Sequence, residues 1–421
     1  MVMEETFDFG IVGAGIVGLA VGREILKRLP DTRLLILEKE SAVGFHQTGH
    51  NSGVIHSGIY YKPGSLKARL CVAGAAEMLD FVQSHAIPYE RCGKVIIATK
   101  PGELPALEEL HRRGEANGVP GLRWLQDAAA IREIEPHAAG LCGIYVSSTA
   151  ITDYKLVAKR YAELIAESGG TLRLSAGVNG ITRKGDETVL ATEAGDFRVR
   201  YLINCAGLYS DRIAHMAGTK LDTAIFPFRG EYYDVLPQKQ HLVRSLIYPV
   251  PDSNFPFLGV HFTRRVGGGI EAGPNAVLAL KREGYKKSSF SFNDSAAILS
   301  SGGFWKMGSR YWRAGTKELY RSWSKSAFTR SLQELLPELQ EEDLHSGGSG
   351  VRAQAVDRAG KLIDDFRFVH SDGATHVCNV PSPAATASLQ IAGVVVDVLL
   401  KQFAPGGISQ RSQKPESAKL L

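Results

Sequence analysis

Runs of apolar residues first predict a strand, a helix and a second strand near the amino terminus. Phe7–Val12 is an apolar run typical of a buried strand. The next apolar pattern, Leu19–Leu29, has the spacing of a helix and stops at Pro30, and Arg33–Leu37 has the pattern of another strand. The pattern therefore predicts a strand–helix–strand unit with a glycine-rich turn after its first strand.

Shorter apolar runs predict a group of strands in the middle of the chain and a last strand and helix near its end. Short strands, two of them preceded by Gly-Asp turns, are predicted at 171–175, 180–182, 188–192 and 197–199. A buried strand, Tyr201–Cys205, follows them and leads into an Ala-Gly pair. The last predicted elements are a strand at His376–Asn379 and a helix from Ala387 to about Leu400.

The composition is that of a globular chain with more than one domain. Its 421 residues, 44% apolar and 22% charged, indicate two to three domains at about 150 residues each and exclude disordered, collagen-like and disulfide-scaffold proteins. The five cysteines are widely spaced without a Cys-x-x-Cys pair, so we expect no metal site, no redox dithiol and a reducing compartment. No apolar run reaches the roughly eighteen residues of a membrane span, and the acidic amino terminus is unlike a targeting segment. We expect a cytoplasmic protein, at most peripheral on the inner face of the cell membrane, or a mitochondrial one if the chain is a processed eukaryotic form.

The glycine-rich turn after the first strand predicts a dinucleotide site. Gly13 permits a tight turn, Gly15 lets the backbone approach a pyrophosphate, and Gly18 allows close packing of helix and strand. The helix amino terminus would offer free N–H groups to the phosphates. Glu38 ends the second strand, twenty residues beyond Gly18, where a carboxylate can accept a ribose hydroxyl.

The order of the later elements favours FAD over NAD and predicts a discontinuous fold. A β-meander followed by a strand and Ala-Gly is how FAD-binding two-domain oxidoreductases return to their nucleotide sheet, and the last helix would direct its positive amino terminus toward a reduced flavin. We therefore predict an α/β (α+β two-domain) architecture with a Rossmann-like FAD-binding domain of the glutathione-reductase type and a substrate domain built on an antiparallel β-sheet. The FAD-binding domain is predicted from 1–85, 149–215 and 344–404, and the substrate domain from 86–148 and 216–343. Within the substrate domain, 255–263 and 269–275 are predicted to pair as a hairpin and 281–330 to form a basic helical excursion, while 405–421 is predicted to be a disordered tail.

Several long stretches carry a family resemblance. They are His46–Pro63, Pro227–Tyr232, Ile247–Asp252, Pro256–Thr263, Gly273–Ala279, Gly350–Ala355 and the loop at Pro381. With them the chain resembles the FAD-dependent oxidoreductases of the D-amino-acid-oxidase superfamily and, within it, the L-2-hydroxyglutarate dehydrogenase (oxidase) family, from Phe7 to about Leu399. The resemblance implies oxidation of (S)-2-hydroxyglutarate to 2-oxoglutarate. Electrons would pass from the flavin to a quinone of the respiratory chain, as in bacterial relatives, or to an electron-transfer system, as in mitochondrial ones. It also implies further cofactor contacts at Lys39, Thr48, Asn51, Ser52, Val178, Ala206, Gly207, Ser382 and Ala385.

Two histidines are candidates for the base that oxidation of a secondary alcohol requires. Histidine titrates near working pH without a large perturbation. His56 lies in the glycine-rich segment that the resemblance places at the active-site side of the flavin, so we predict it to be the base or to orient the substrate. The alternative is that His56 only hydrogen-bonds the cofactor or loop. His261, on a predicted strand of the substrate domain, is the competing candidate, or else a satisfied core histidine.

A dicarboxylate substrate calls for cationic groups, and two arginines are candidates. Arg229 and Arg352 lie where the chain enters the substrate domain and returns to the flavin, and each is either a clamp for substrate or flavin or a structural ion pair. Tyr232 and Asn275 are candidates for hydrogen bonds to the substrate. Cys378 lies near the flavin loop, but its surroundings do not match the superfamily's covalent attachment site, so we expect noncovalent FAD.

The positive charge of the chain is concentrated in residues 281–330. This stretch has eleven Lys or Arg against three acids, a local charge of +8 within a whole-chain charge of +5, and three of the four tryptophans. We predict a helix started by Asn293–Ser295, with Trp305 and Trp312 on one face. It is either a packing helix with a solvated basic edge or a peripheral membrane foot that brings the flavin near a quinone. No nucleic-acid-binding motif accompanies the stretch, so we expect no nucleic-acid partner. The alternative to the dehydrogenase is an oxygen-using amino-acid or amine oxidase of the same superfamily.

Overall fold

A computed structural model describes residues 6–252 and 258–403 of the chain. The first part contains β1 (Thr6–Val12), α1 (Ile16–Arg28), β2 (Leu34–Leu37), β3 (Val54–Ile55), α2 (Leu66–Ser84), β4 (Tyr89–Glu90), β5 (Lys94–Ala98), α3 (Leu104–Ala116), β6 (Leu122–Leu125), α4 (Ala128–Ile134), β7 (Cys142–Val146) and β8 (Ala150–Thr152). The middle contains α5 (Tyr154–Glu167), β9 (Thr171–Arg173), β10 (Val178–Lys184), β11 (Glu187–Thr192), β12 (Gly195–Asn204), α6 (Ser210–Met216), β13 (Thr223–Val235) and β14 (Leu246–Pro249). The rest contains β15 (His261–Arg264), β16 (Ile270–Gly273), β17 (Val277–Leu278), α7 (Phe292–Leu299), α8 (Gly302–Trp323), α9 (Lys325–Gln333), β18 (Leu344–Asp357), β19 (Arg367–Ser371), β20 (Ala374–Asn379) and α10 (Ser388–Phe403).

An eight-stranded sheet joins strands from the beginning, middle and end of the chain. Its parallel part runs β9–β2–β1–β12–β20, and the antiparallel strands β19 and β11–β10 extend it. The predicted strand–helix–strand unit is confirmed as β1, α1 and β2, with the helix beginning three residues before the predicted Leu19. The runs 197–199 and 201–205, predicted as two strands, form the single strand β12.

Helices of the same three chain segments cover this sheet. α1 packs against α5 and α10, and buried side chains such as Leu19 of α1 and Val396 of α10 form one apolar core with sheet residues such as Ile11 of β1. Because α10 closes against the first helix of the chain, the chain's last described element is part of its amino-terminal core. The predicted last helix is thereby confirmed.

A nine-stranded sheet forms the second layer, in the order β17–β13–β16–β15–β14–β5–β7–β6, with β18 paired to β13. β15 and β16 pair antiparallel as the predicted hairpin requires, although 255–257 lie outside the described residues. β18 belongs to this sheet, whereas the prediction assigned 344–404 to the nucleotide domain. Leu344–Asp357 is rich in Gly and Ser, so its apolar pattern did not distinguish the two sheets. The division into domains stays a prediction, as does the tail at 405–421, which is outside the described residues.

The basic segment is helical, as predicted, from residue 292 on, where it forms α7, α8 and most of α9, whereas 281–291 contains turns and no helix. The predicted start at Asn293–Ser295 is wrong: α7 begins at Phe292, and the Ser291 side chain accepts the N–H of Asp294. The Asp294 carboxylate instead pairs with Arg212 and accepts the Arg282 N–H. Among the described residues, no helix is both long and apolar enough to cross a membrane.

Candidate functional site

An elongated cavity of about 1530 Å³ is lined by residues of both large sheets. Its lining includes the β1–α1 turn and Glu38, which we call the dinucleotide end, and His56, Tyr232 and the loop at Pro381, which we call the reacting end. Pockets for single small ligands occupy about 300–1,000 Å³, so this cavity has room for a dinucleotide and a substrate together.

The glycine turn leaves backbone exposed at the dinucleotide end. Gly13 has φ of +107°, and a Cβ there would lie 2.6 Å from the Cys205 carbonyl oxygen. A Cβ at Gly15 would meet only the Thr48 hydroxyl, at 3.5 Å, so this position is open toward the cavity. Thr48 Oγ1 accepts the first N–H of α1, from Ile16, at 2.9 Å. This cradle of small residues at a helix amino terminus fits a pyrophosphate.

Glu38 lies buried at the end of β2, on the cavity wall. Its carboxylate accepts the Ala14 N–H at 2.8 Å and the Glu40 N–H at 2.9 Å. These bonds fix the carboxylate beside the glycine turn, where it can also accept a ribose hydroxyl.

Nearly all the predicted cofactor residues line the cavity. Besides Gly13, Gly15 and Glu38, these are Lys39, Thr48, Asn51, Ser52, Val178, Ala206, Gly207, Ser382 and Ala385. Gly18 lies outside it, and a Cβ there would collide with the Gly13 carbonyl oxygen, so its role is close packing of α1. The residues present fit a dinucleotide of FAD size, and the individual contacts stay predictions.

His56 lies on the wall at the other end of the cavity. Its backbone N–H donates to Thr386 Oγ1 at 3.0 Å, and its ring Nε2 is 3.4 Å from Ser382 Oγ. Nδ1 is buried without a hydrogen-bond partner among the described residues. Burial, followed by the positive charges of Lys94 and Lys67 and by His261, holds the pKa of His56 well below 6.5. The ring is therefore neutral at neutral pH and can accept a proton.

His261, at the start of β15, lines the same end of the cavity. Its Nδ1 is 2.7 Å from the Gly259 carbonyl oxygen, and its ring stacks on Tyr248 with centroids 3.8 Å apart. Burial lowers its pKa to about 3. Because its ring is already bonded and stacked, His261 suits orienting a substrate better than moving through a proton-transfer cycle.

The two predicted arginine clamps have different surroundings. Arg352 lines the cavity on β18, and its Nη1 donates to the Asn275 carbonyl oxygen at 3.2 Å. Arg229 lies outside the cavity wall, buried in an ion pair with Glu231 at 3.0 Å. The geometry supports the clamp role for Arg352 and the structural alternative for Arg229.

Tyr232 and Asn275 are separated in the same way. Tyr232 lines the cavity, and burial raises the pKa of its hydroxyl to about 12, so it remains a hydrogen-bond donor. Asn275 does not line it: its side chain accepts the Glu231 N–H at 2.8 Å and donates to the Glu231 carboxylate at 3.1 Å. The geometry therefore does not support the predicted substrate contact for the Asn275 side chain. This side chain binds Glu231 instead, and the Asn275 backbone carbonyl accepts a hydrogen bond from Arg352.

Several residues of the reacting end were missed from the sequence. They are Tyr60, Tyr61, Lys67, Lys94 and Tyr248. Four of them line the cavity, and Lys94 lies directly behind Tyr60 and Tyr248. One signal was available: Lys94 is the one charge in the otherwise apolar strand Lys94–Ala98, where a cation is costly to bury.

The basic segment reaches the rim of the cavity through a polar cluster. Lys39 Nζ is 2.6 Å from Glu283 and 2.7 Å from His46 Nε2, and His46 Nδ1 is 2.9 Å from the Tyr285 hydroxyl. Lys39 also pairs with Glu40. The Lys39 ammonium satisfies both carboxylates, so the cluster is an ion-pair network that ties residues 283–285 to the dinucleotide end. At the other side, Cys378 lines the cavity, and burial raises the pKa of its thiol to about 12.

Comparisons with known proteins agree with this geometry. The family model for FAD dependent oxidoreductases (DAO) matches residues 8–398. L-2-hydroxyglutarate dehydrogenase of Indibacter alkaliphilus is 52% identical over 94% of this chain and 100% of its own length. The human mitochondrial L-2-hydroxyglutarate dehydrogenase is 45% identical over 94% of this chain and 89% of its own, and that of Escherichia coli K12 is 43% identical over 95% and 96%.

Solved structures share the fold at lower identity. L-α-glycerophosphate oxidase of Mycoplasma pneumoniae, with FAD bound, has a TM-score of 0.76 at 22% identity and covers 94% of this chain and 95% of its own. Glycine oxidase of Geobacillus kaustophilus has a TM-score of 0.70 at 19% identity over 94% and 95%. The predicted FAD-binding fold class and the family resemblance are confirmed.

Proposed function

This chain belongs to the family of FAD-dependent oxidoreductases, among the L-2-hydroxyglutarate dehydrogenases, and we propose that it oxidises (S)-2-hydroxyglutarate to 2-oxoglutarate. FAD is its cofactor. One observation of the site carries the proposal: a neutral, half-buried histidine, His56, lines the cavity together with an arginine, Arg352. That pair provides a proton acceptor and a carboxylate partner for a 2-hydroxy acid.

The residues at the reacting end of the cavity have distinct parts in the reaction. Arg352 binds a carboxylate of the substrate, and the Tyr232 hydroxyl donates a further hydrogen bond. His56 Nε2 takes the proton of the C2 hydroxyl, while the Thr386 hydroxyl accepts the backbone N–H of His56 and holds the loop in place. Bound FAD supplies the acceptor for the hydride that leaves C2. The apolar walls from Tyr60, Tyr61 and Tyr248 exclude water.

Anaerobic titration of the purified holoenzyme tests the reaction. We expect (S)-2-hydroxyglutarate to bleach the flavin absorbance and the (R) enantiomer to leave it oxidised. An oxidised flavin after excess (S) substrate would reject the proposal. Bleaching by an amino acid, with peroxide formed on admission of oxygen, would instead identify an amino-acid oxidase.

The electron acceptor is proposed to be a quinone reached at a membrane surface. Two features support this: Arg310 and Tyr311 of α8 line the same cavity, and Trp305 and Trp312 of that helix are about 60% exposed. Exposed rings beside cations are typical of helices that lie at lipid headgroups. The test is reoxidation of the substrate-reduced enzyme: a soluble quinone analogue should reoxidise it far faster than air-saturated buffer. Equal rates would contradict a quinone as acceptor.

A further inference from the structure

Lys94 is a buried cation without a counter-ion. It lies in the strand β5, between β14 and β7, and its side chain has 0% exposure. Its Nζ has no hydrogen bond and no ion pair among the described residues. Burying an ammonium without a carboxylate partner destabilises the fold. The position of Lys94 therefore indicates a role for its charge in function and not in stability.

Two tyrosine rings separate the Lys94 ammonium from the cavity. Nζ lies 4.6 Å from the centroid of the Tyr248 ring and 5.0 Å from that of Tyr60, and both rings line the cavity. The Tyr60 hydroxyl is also buried without a partner among the described residues. His261, stacked on Tyr248, extends the same layer toward the reacting end. The positive charge therefore lies directly behind the tyrosine rings that form this part of the cavity wall.

We propose that Lys94 is a specificity-determining positioning residue, whose buried charge, acting through Tyr60 and Tyr248, makes the reacting end of the cavity prefer a dicarboxylate. This inference rests on the proposed function. Arg352 holds one carboxylate directly, and the Lys94 charge attracts the second through a medium of low polarity, where a Coulomb interaction at a given distance is stronger than in water. A 2-hydroxy acid with a single carboxylate gains nothing from the second cation. Lys94 thus sets which acid is bound, while His56 carries out the proton transfer.

The groups around the ammonium come from several elements. The titratable and charged groups facing it are Cys92, Cys71, His56, Tyr60, Tyr248, His261 and, further off, Lys67 and Arg352. Burial lowers the pKa of Lys94 to about 8, whereas the two histidines titrate below 6.5 and burial raises the pKa of the Cys92 thiol to about 11. Among the groups of this layer with a resolved pKa shift, Lys94 is the one that changes charge between pH 7 and 9.

Binding of two unreactive acids to the oxidised holoenzyme tests the inference without turnover. Glutarate carries two carboxylates and butyrate one, and flavin absorbance reports the binding of each. In Lys94→Met we expect the Kd of glutarate to rise at least about tenfold and that of butyrate to change less than about twofold. The control is Lys100→Met, an exposed lysine two residues past β5, which removes the same charge and should leave both affinities unchanged.

Equal weakening of glutarate and butyrate, or no change in either, would overturn the proposal, because a packing role does not distinguish their charges. If the Lys94→Met holoenzyme does not fold, a pH titration of the wild type decides instead. The ratio of glutarate to butyrate affinity should fall as pH rises through about 8, where Lys94 loses its proton. A ratio that stays constant to pH 10 rejects the role of Lys94. Failure of the proposed reaction is recognised separately, by a wild-type flavin that (S)-2-hydroxyglutarate does not reduce.

Discussion

His56 combines a basic nitrogen with surroundings that oppose its protonation. Because burial and nearby cations hold its pKa well below 6.5, the neutral form is the resting form at pH 7. A His56→Gln variant keeps the size and one polar atom but loses the base. We expect its flavin-reduction rate constant to fall by about 10²- to 10⁴-fold, measured by anaerobic stopped flow.

The pH profile of the same rate gives the control. A depressed histidine pKa moves the loss of activity to lower pH, so kcat/KM for the wild type should not fall on acidification from pH 8 to 6.5 and should fall only below that. His241→Gln, on the surface in the 3₁₀ segment Pro237–Leu242, should match the wild type in rate and profile. A wild-type kcat/KM that already falls on acidification at or above pH 7, or a His56→Gln rate equal to the control, would contradict the assignment.

Arg352 and Arg229 were equivalent candidates from the sequence, and the structure predicts opposite consequences for their loss. Arg352→Met removes a cation that lines the cavity, so we expect KM for (S)-2-hydroxyglutarate to rise about tenfold or more. Arg229→Met removes one charged partner of the half-buried Glu231, which keeps Lys287, and we expect it to lower the free energy of unfolding by about 1.5–3 kcal/mol. Steady-state kinetics and thermal unfolding of the two holoenzymes measure this. The assignment fails if Arg229→Met raises KM at unchanged stability.

Residue type and position along the chain predicted the chemistry of the site better than its contacts. Glu38 and the three glycines follow from a motif in which each residue has a local reason. The sequence alone does not separate Arg229 from Arg352, or Asn275 from Tyr232. Which of these side chains faces the cavity and which binds Glu231 depends on how β13 pairs with β18, more than a hundred residues later in the chain. The sequence does not reveal the proposed role of Lys94, because that role depends on which rings surround its ammonium in the folded structure.

At the scale of elements, the β1–α1 turn separates binding from folding. Gly15 has an extended backbone (φ −74°, ψ 173°) that alanine adopts, and a Cβ there would project toward the open cavity. We expect Gly15→Ala to fold with unchanged apoprotein stability but to bind FAD at least about tenfold more weakly, because the methyl group occupies the phosphate side of the turn. Gly18→Ala should instead destabilise the fold by about 1–3 kcal/mol, since its Cβ collides with a backbone carbonyl.

Equilibrium dialysis of FAD and thermal unfolding of the apoprotein distinguish these two effects. Gly102→Ala is a suitable control, because a Cβ there meets nothing within 4 Å. If Gly15→Ala bound FAD as tightly as this control, the turn would not be the phosphate cradle.

Elements with a strong local pattern were predicted within a few residues, and those with a weak one were not. β1, α1 and α10 have continuous apolar faces, so their existence followed from the sequence. Asn293–Ser295 was chosen as a helix start because Asn, Asp and Ser all cap helices, but Ser291 supplies the cap and Asp294 pairs with Arg212. β18 had no pattern to assign it to one sheet, since register with β13 is decided by tertiary pairing.

At the scale of the whole molecule, the discontinuous nucleotide sheet was predictable because the order of elements is distinctive. The meander β10–β12 returns the chain beside β1, and β20 then pairs with the end of β12. What no local pattern contained is the convergence of α8 with the cavity, which joins the basic segment to the reaction. That convergence depends on how the second sheet lies over the first.

The solvent side of α8 is an exposed aromatic stripe beside a basic one. Trp305, Trp312 and Trp323 are 61%, 58% and 74% exposed, and Arg313 and Lys317 lie one position further round the helix, with the Arg313 guanidinium 5.3 Å from the Trp312 ring. A packing helix would bury its rings, so exposure of three tryptophans favours the membrane foot over the solvated-edge alternative.

Vesicle flotation tests this face of α8. The wild type should float with vesicles containing anionic lipid and more weakly with neutral ones. Its binding should fall as salt rises, because the cations act through screened electrostatics while the rings bury apolar area.

In the double variant Arg313→Gln/Lys317→Gln, the difference in binding free energy between anionic and neutral vesicles should shrink by about 2 kcal/mol, at roughly 1 kcal/mol per cation. The triple variant Trp305→Ser/Trp312→Ser/Trp323→Ser should weaken binding to both kinds of vesicle.

The control is the double variant Lys159→Gln/Lys184→Gln, which removes the same charge from exposed positions on α5 and β10. It should bind like the wild type. Because none of these substitutions touches His56 or Arg352, anaerobic flavin reduction should be unchanged in all of them. If the wild type bound neutral and anionic vesicles equally, or the control lost as much binding as the α8 variants, this face would be an ordinary solvated surface and electrons would leave the flavin elsewhere.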